Sequence, residues 1–76
     1  MITFSYTNYI KKSINKFLAN KGFSENNIYY LIKNKNVLVN GKEVLDKNHI
    51  VNFHDKILVR LNNEENNIKP LNQNLN

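Results

Sequence analysis

The stretch SENNIYYLIKNKNVLVNGK, residues 24–42, decides the fold of this chain. Ser24 suits a helix N-cap, because its hydroxyl can accept from backbone N–H groups two or three residues on. Glu25 then sits in the first turn, where the helix dipole favours an anion. Ile28, Leu31 and Ile32 recur at i, i+3 and i+4 and make one apolar stripe, which leaves Tyr29, Tyr30 and Lys33 outside it. After the polar break Asn34-Lys35-Asn36, the β-branched run Val37-Leu38-Val39 predicts a short strand. Asn40-Gly41 supplies two residues that tolerate positive φ, the requirement of a type I′ hairpin turn. One capped helix therefore feeds one hairpin, with Lys33, Lys35 and Lys42 around the junction.

Before this stretch, Ile2, Phe4 and Tyr6 alternate with Thr3 and Ser5, the period of a half-buried strand. Ile10, Ile14, Phe17 and Leu18 then follow the spacing of an amphipathic helix, with Ser13 able to cap its regular part. Lys11, Lys12, Lys16 and Lys21 lie mostly off its apolar side, and Gly22 suits the residue that ends it. Gly22-Phe23-Ser24 joins the two short helices at a tight corner. Beyond the hairpin turn, Lys42-Glu43-Val44-Leu45 predicts the returning strand and Asp46-Lys47-Asn48 a loop. His49-Ile50-Val51 reads as a short extended segment, and Asn52-Phe53-His54-Asp55 as a second turn. KILVRL, residues 56–61, is apolar enough to be the central strand of a small sheet. The order β-α-α-β-β-β predicts an α+β fold, two short helices packed on one small antiparallel sheet. Residues 1–61 form one domain on this reading, and the polar, acidic residues 62–76 a tail or linker.

At 76 residues the chain holds one domain with a thin core. It has no cysteine, which excludes disulfides and thiolate metal sites. No apolar run approaches the roughly 20 residues of a membrane span. Met1-Ile2-Thr3-Phe4 lacks the charged start of a secretion signal, so a cytoplasmic protein is expected. The net charge of +5 and pI of about 9.6 favour a polyanionic partner, nucleic acid ahead of an anionic membrane. The same Lys, Asn and Ile richness also fits an AT-rich coding bias. His49 and His54 with Asp46 and Asp55 are the only acid–base or metal candidates, and their spacing gives no converging ligand set. No catalytic residue, metal site, cofactor or small-molecule ligand is therefore expected.

Ile14-Asn15-Lys16-Phe17-Leu18, Gly22-Phe23-Ser24, Leu31-Ile32-Lys33, Val37-Leu38-Val39-Asn40-Gly41-Lys42 and Asp55-Lys56-Ile57 occur in one order at compact spacing. Together they resemble the S-four-type (alpha-L) RNA-binding domain, named after a small-subunit ribosomal protein. The resemblance covers about residues 13–60, with VNGK, residues 39–42, its most specific piece. It implies that the helix pair and the hairpin turn grip structured RNA, ribosomal RNA being the expected target. The strand before the first helix and the segment Glu64-Glu65-Asn66-Asn67-Ile68-Lys69-Pro70-Leu71 look like the amino-terminal module of large-subunit-type pseudouridine synthases. That resemblance implies the RNA-binding front end of a longer enzyme, whose catalytic Arg-Leu-Asp motif has no counterpart here. Ser13 and Asn15 stand where many members place Arg and Asp, Glu25-Asn26-Asn27 replaces an Arg-containing helix start, and His54 replaces a glycine.

The candidate RNA contacts are Lys16, Lys21, Lys33, Lys35 and Lys42 to phosphates, with Asn26 at a helix start and Tyr30 for stacking or a phosphate bond. Asn40 and Gly41 would approach RNA through the backbone of their turn. Phosphate contacts position a domain without reading sequence, so recognition by RNA shape is expected, by a monomer. Two rivals stand beside this reading. One is a stand-alone ribosome-associated protein with the same module. The other is a protein-interaction or carrier domain of the β-grasp type, whose Gly-Gly end is missing here.

Overall fold

A computed structural model describes residues 1–61; the expected tail, residues 62–76, lies outside the described residues. The elements are β1 (Ile2–Ser5), β2 (Lys12–Ser13), α1 (Ile14–Asn20), α2 (Glu25–Lys33), β3 (Val37–Val39), β4 (Lys42–Glu43), β5 (Ile50–Val51) and β6 (Lys56–Val59). Four strands form an antiparallel sheet in the order β1-β6-β3-β4. The apolar β6 is central, as its composition predicts, and Ile57 and Val59 are fully buried.

Directly paired residues project to one side of a sheet. Ile2, Val59 and Val37 form one row, and Phe4, Ile57, Val39 and Lys42 the next row on the same face. This is the helix-facing side, since Phe4 meets Phe17 of α1 edge-on with ring centroids 5.6 Å apart. Thr3, Leu58, Leu38 and Glu43 make the row on the opposite face. The core lies between sheet and helices, built on Ile14, Phe17, Leu18 and Ile28 from the helices and Val37, Val39, Ile57 and Val59 from the sheet. Two helices on a small antiparallel sheet is the α+β architecture expected.

Four details differ from the sequence reading. The first helix begins at Ile14 and not at Ile10, which is 73% exposed. Ser13 Oγ accepts from the Lys16 N–H, while the carbonyls of His49 and Lys47 accept from the N–H groups of Ile14 and Asn15. Those three bonds close the N-terminus of α1. Ile10 instead stands in a loop, its carbonyl accepting from the buried Tyr6 hydroxyl. Second, a two-residue ribbon appears: β2 pairs with β5, Lys12 opposite Val51 and Ser13 opposite Ile50, so the fold has a second small sheet. Third, the returning strand is shorter than Lys42-Glu43-Val44-Leu45. Val44 is buried and donates its N–H to the Val37 carbonyl, but Leu45 is 72% exposed and leaves the sheet. Fourth, the central strand ends at Val59 and does not extend over Arg60 and Leu61.

Both helices close in the same way. Gly22 (φ 102°) follows the last residue of the α1 cap, with Gly22 N–H donating to Ala19 and Phe23 N–H to Leu18. After α2, Lys35 (φ 60°) takes that place, its N–H donating to Ile32 while Asn36 N–H reaches Leu31. These paired bonds are the Schellman arrangement, which needs a left-handed residue just past the helix. In the hairpin turn Asn40 (φ 53°) and Gly41 (φ 83°) are both left-handed, as the type I′ reading requires.

Candidate nucleic-acid interface

α2 carries the first group of candidate contacts. Ser24 Oγ accepts from the Asn27 N–H and Ile28 points into the core. At 3.6 residues per turn, Asn26, Tyr30 and Lys33 then fall within an arc of about 60° on the solvent side. Tyr30 is 55% exposed, and its ring meets that of Tyr29 edge-on at 5.0 Å. Lys33 Nζ stands 5.7 Å from the centroid of Tyr29 and 6.0 Å from that of Tyr30. The tyrosine faces thus hold the ammonium near the end of the helix. Tyr30 borders a groove of about 410 Å³ shared with Phe23, Asn27, Asn36 and Arg60. Asn26 and Lys33 border a second groove of about 560 Å³, shared with Asn15, Tyr29 and Lys47. The stripe is therefore a ridge between two open grooves. Arg60, the sole arginine of the chain, was not among the candidates; its expected place within the last strand gave no sequence signal of the groove beside it.

The second group lies at the hairpin turn, and the turn is fastened from within. Asn40 Nδ2 donates to Asp55 Oδ1 at 2.9 Å, and Asn40 Oδ1 accepts from the Lys56 N–H at 2.9 Å. Its backbone N–H donates to the Lys56 carbonyl. The side chain of Asn40 is thus occupied in a clamp between two turns, and Gly41 and Lys42 remain exposed beside it. Asp55 Oδ2 also accepts from the Asn52 N–H at 2.8 Å. That backbone bond holds the Asp55 carboxyl below the usual carboxylate range; desolvation opposes it, and the Asn40 amide and His49 add to the lowering. Asp55 therefore satisfies turn backbone.

The lysines are spread over several elements. Lys42 lies opposite Val39, the end of β3 away from Lys35, so the three residues of β3, about 10 Å at the usual strand rise, lie between them. Lys21 caps α1 with its Nζ 5.5 Å from the Phe4 centroid and 5.4 Å from that of Phe17. Phe4 and Lys42 end the same cross-sheet row, three strand spacings apart, or about 14 Å. Lys16 projects from the solvent side of α1. The candidate residues hence flank the helix-facing layer from its β1 edge to its β4 edge.

The S4 domain family model matches residues 13–57, well over half of the chain. The chain belongs to the S4 domain family. Neither curated proteins nor solved structures gave a match. The S4 domain is a general RNA-binding module, and the matched span runs from the cap of α1 to the second residue of β6. β1 and the loop after it precede that span. Among the described residues of this S4 domain no group of three or more His, Cys, Asp or Glu is placed to hold a metal ion. None of its described helices is long and apolar enough to cross a membrane. Two departures from the S4 pattern acquire local explanations. Ser13 caps α1, and His54 (φ 75°) holds the left-handed position that a glycine fills in many S4 domains.

Proposed function

We propose that this S4 domain docks structured ribosomal RNA through Lys33 and Lys35 at the end of α2 and Lys42 at the hairpin turn, and that it targets a pseudouridine synthase to its substrate. The observation that carries the docking is the α2 ridge of Asn26, Tyr30 and Lys33, which sets a cation and an aromatic face side by side in a basic domain. Ten of the eleven basic residues but only four of the six acidic ones lie in residues 1–61, so this segment is more basic than the whole chain. Lysine ammonium groups bind phosphate by releasing condensed counterions, and such contacts position a domain on RNA of the right shape. The targeting role rests on the likeness of the chain's two ends to synthase amino-terminal modules. It requires an Arg-Leu-Asp catalytic domain downstream in the reading frame; a stop codon after Asn76 would leave a stand-alone RNA-binding protein.

Fluorescence anisotropy with a ribosomal-RNA hairpin across a salt series tests the docking, with duplex DNA as control. Wild type should prefer RNA and weaken with salt. Lys33→Ala/Lys35→Ala/Lys42→Ala should bind less tightly, with a salt slope shallower by up to about 3, near 1 for each lost phosphate contact. Equal slopes for the two proteins would remove these lysines from the interface.

A further inference from the structure

The loop before α1 and the turn before β6 bring three rings together apart from the candidate RNA contacts. Tyr9 stacks on Phe53 with centroids 4.2 Å apart and planes 24° from parallel. His54 continues the series, 3.9 Å from Phe53 at a tilt of 50°. None of the three belongs to the core, and Tyr9 is 81% exposed. The arrangement is held in place from beneath. The buried Tyr6 donates its hydroxyl to the Ile10 carbonyl, accepts from the His54 N–H at its own carbonyl and donates its N–H to Asp55. Asn8 Oδ1 accepts from the Ile10 N–H at 2.9 Å and shapes the loop around Tyr9.

The charge around the rings is mainly positive. Lys11 and Lys12 follow Tyr9 and Ile10 directly, Lys56 follows the turn, and the loop 6–12 has no acidic residue. Asp55 is the one carboxylate next to the rings, and both of its oxygens accept internal hydrogen bonds. A fixed aromatic tier with flanking cations is the chemistry that takes up unpaired bases, whose faces stack on the ring while the backbone meets the cations. An acidic protein surface could meet the lysines, but it would leave a bare, rigid ring stack without a complementary face.

We infer that Tyr9, Phe53 and His54 form a stacking platform for an unpaired RNA segment adjoining the duplex held by the helix pair and hairpin. This rests on the RNA-docking reading above and extends it to a second contact. The clamp places the two close together, because Asn40 of the hairpin turn bonds Asp55, the neighbour of His54.

The test compares a blunt RNA hairpin with the same hairpin bearing an unpaired eight-nucleotide tract labelled with 2-aminopurine. The full chain and its Tyr9→Ala and Tyr9→Phe variants are each titrated, with circular dichroism to confirm their fold. Wild type should bind the tailed hairpin about 5-fold or more tighter than the blunt one and quench the label, in line with one base–aromatic stack. Tyr9→Ala should lose that gain while binding the blunt hairpin as wild type does, and Tyr9→Phe should keep it. Equal binding of the two RNAs, unaffected by Tyr9→Ala, overturns the platform, leaves the docking reading standing and assigns the rings to a protein surface. A Tyr9→Phe variant as weak as Tyr9→Ala overturns stacking as the cause. Binding to neither RNA overturns both readings.

Discussion

Lys35 sits where the chain needs a left-handed residue, and it has a β-carbon. At φ 60° it closes α2 in the position that Gly22 fills for α1. The left-handed conformation costs a non-glycine residue roughly 1–2 kcal/mol, part of which glycine returns through its freer unfolded state. Lys35→Gly should therefore stabilise the domain by up to about 1 kcal/mol and raise its melting midpoint by about 4–8 °C. The same change should weaken binding to the RNA hairpin and reduce its salt slope by about 1. Stability and affinity moving in opposite directions, measured by thermal unfolding and anisotropy, would show that the lysine is kept for its charge. A Lys35→Gly protein that melts lower would place its side chain in the fold instead.

At the scale of elements, the clamp between the hairpin turn and the 52–55 turn makes a pH-dependent prediction. The Asp55 carboxyl is held below its ordinary range by the Asn52 N–H and the Asn40 amide. A depressed folded value means that its contribution is complete above the unfolded value of about 4 and fades as pH falls through the folded one. Asp55→Asn should thus melt below wild type at pH 7, with the gap narrowing as pH falls below the ordinary carboxylate range. A gap that stays constant with pH would detach the carboxylate from the clamp. This element was only partly legible. Asn40-Gly41 announced the turn because two left-handed residues leave few alternatives, whereas its partner lies fifteen residues away and local pattern does not reveal it. α2 and β3 were readable for the same local reason, a cap and a period within one stretch. The start of α1 was misread because Ile10 keeps helical spacing with Ile14, and spacing alone does not show which carbonyls will meet the first N–H groups. In this chain they come from Lys47 and His49. β5 falls within the segment His49-Ile50-Val51 that reads as extended, but its partner β2 holds two residues, too few to carry a period.

Across the whole molecule, a small core concentrates the risk of any one substitution. At about 0.05–0.15 kcal/mol per residue, a domain the size of residues 1–61 has roughly 3–9 kcal/mol of stability. Ile57 is fully buried in the central strand and pairs with both Phe4 and Val39. Ile57→Ala should cost about 2–5 kcal/mol, a large share of that total, measured by urea titrations extrapolated to water. A loss under about 1 kcal/mol would show that the core collapses around the gap. The candidate site was legible as residue types and not as geometry: the lysines were visible, while the sheet row that sets Lys21 and Lys42 apart depends on pairing between β1 and β6 from opposite ends of the domain. The Asn40 bonds to Asp55 and Lys56 have one more consequence. They fix the span between the lysine-bearing hairpin and the ring-bearing turn, so on the two proposed contacts an RNA that engaged one would meet the other as an intramolecular event. The domain would then act as a bivalent ligand with a rigid linker, and two individually weak contacts would gain the avidity that a high effective concentration confers.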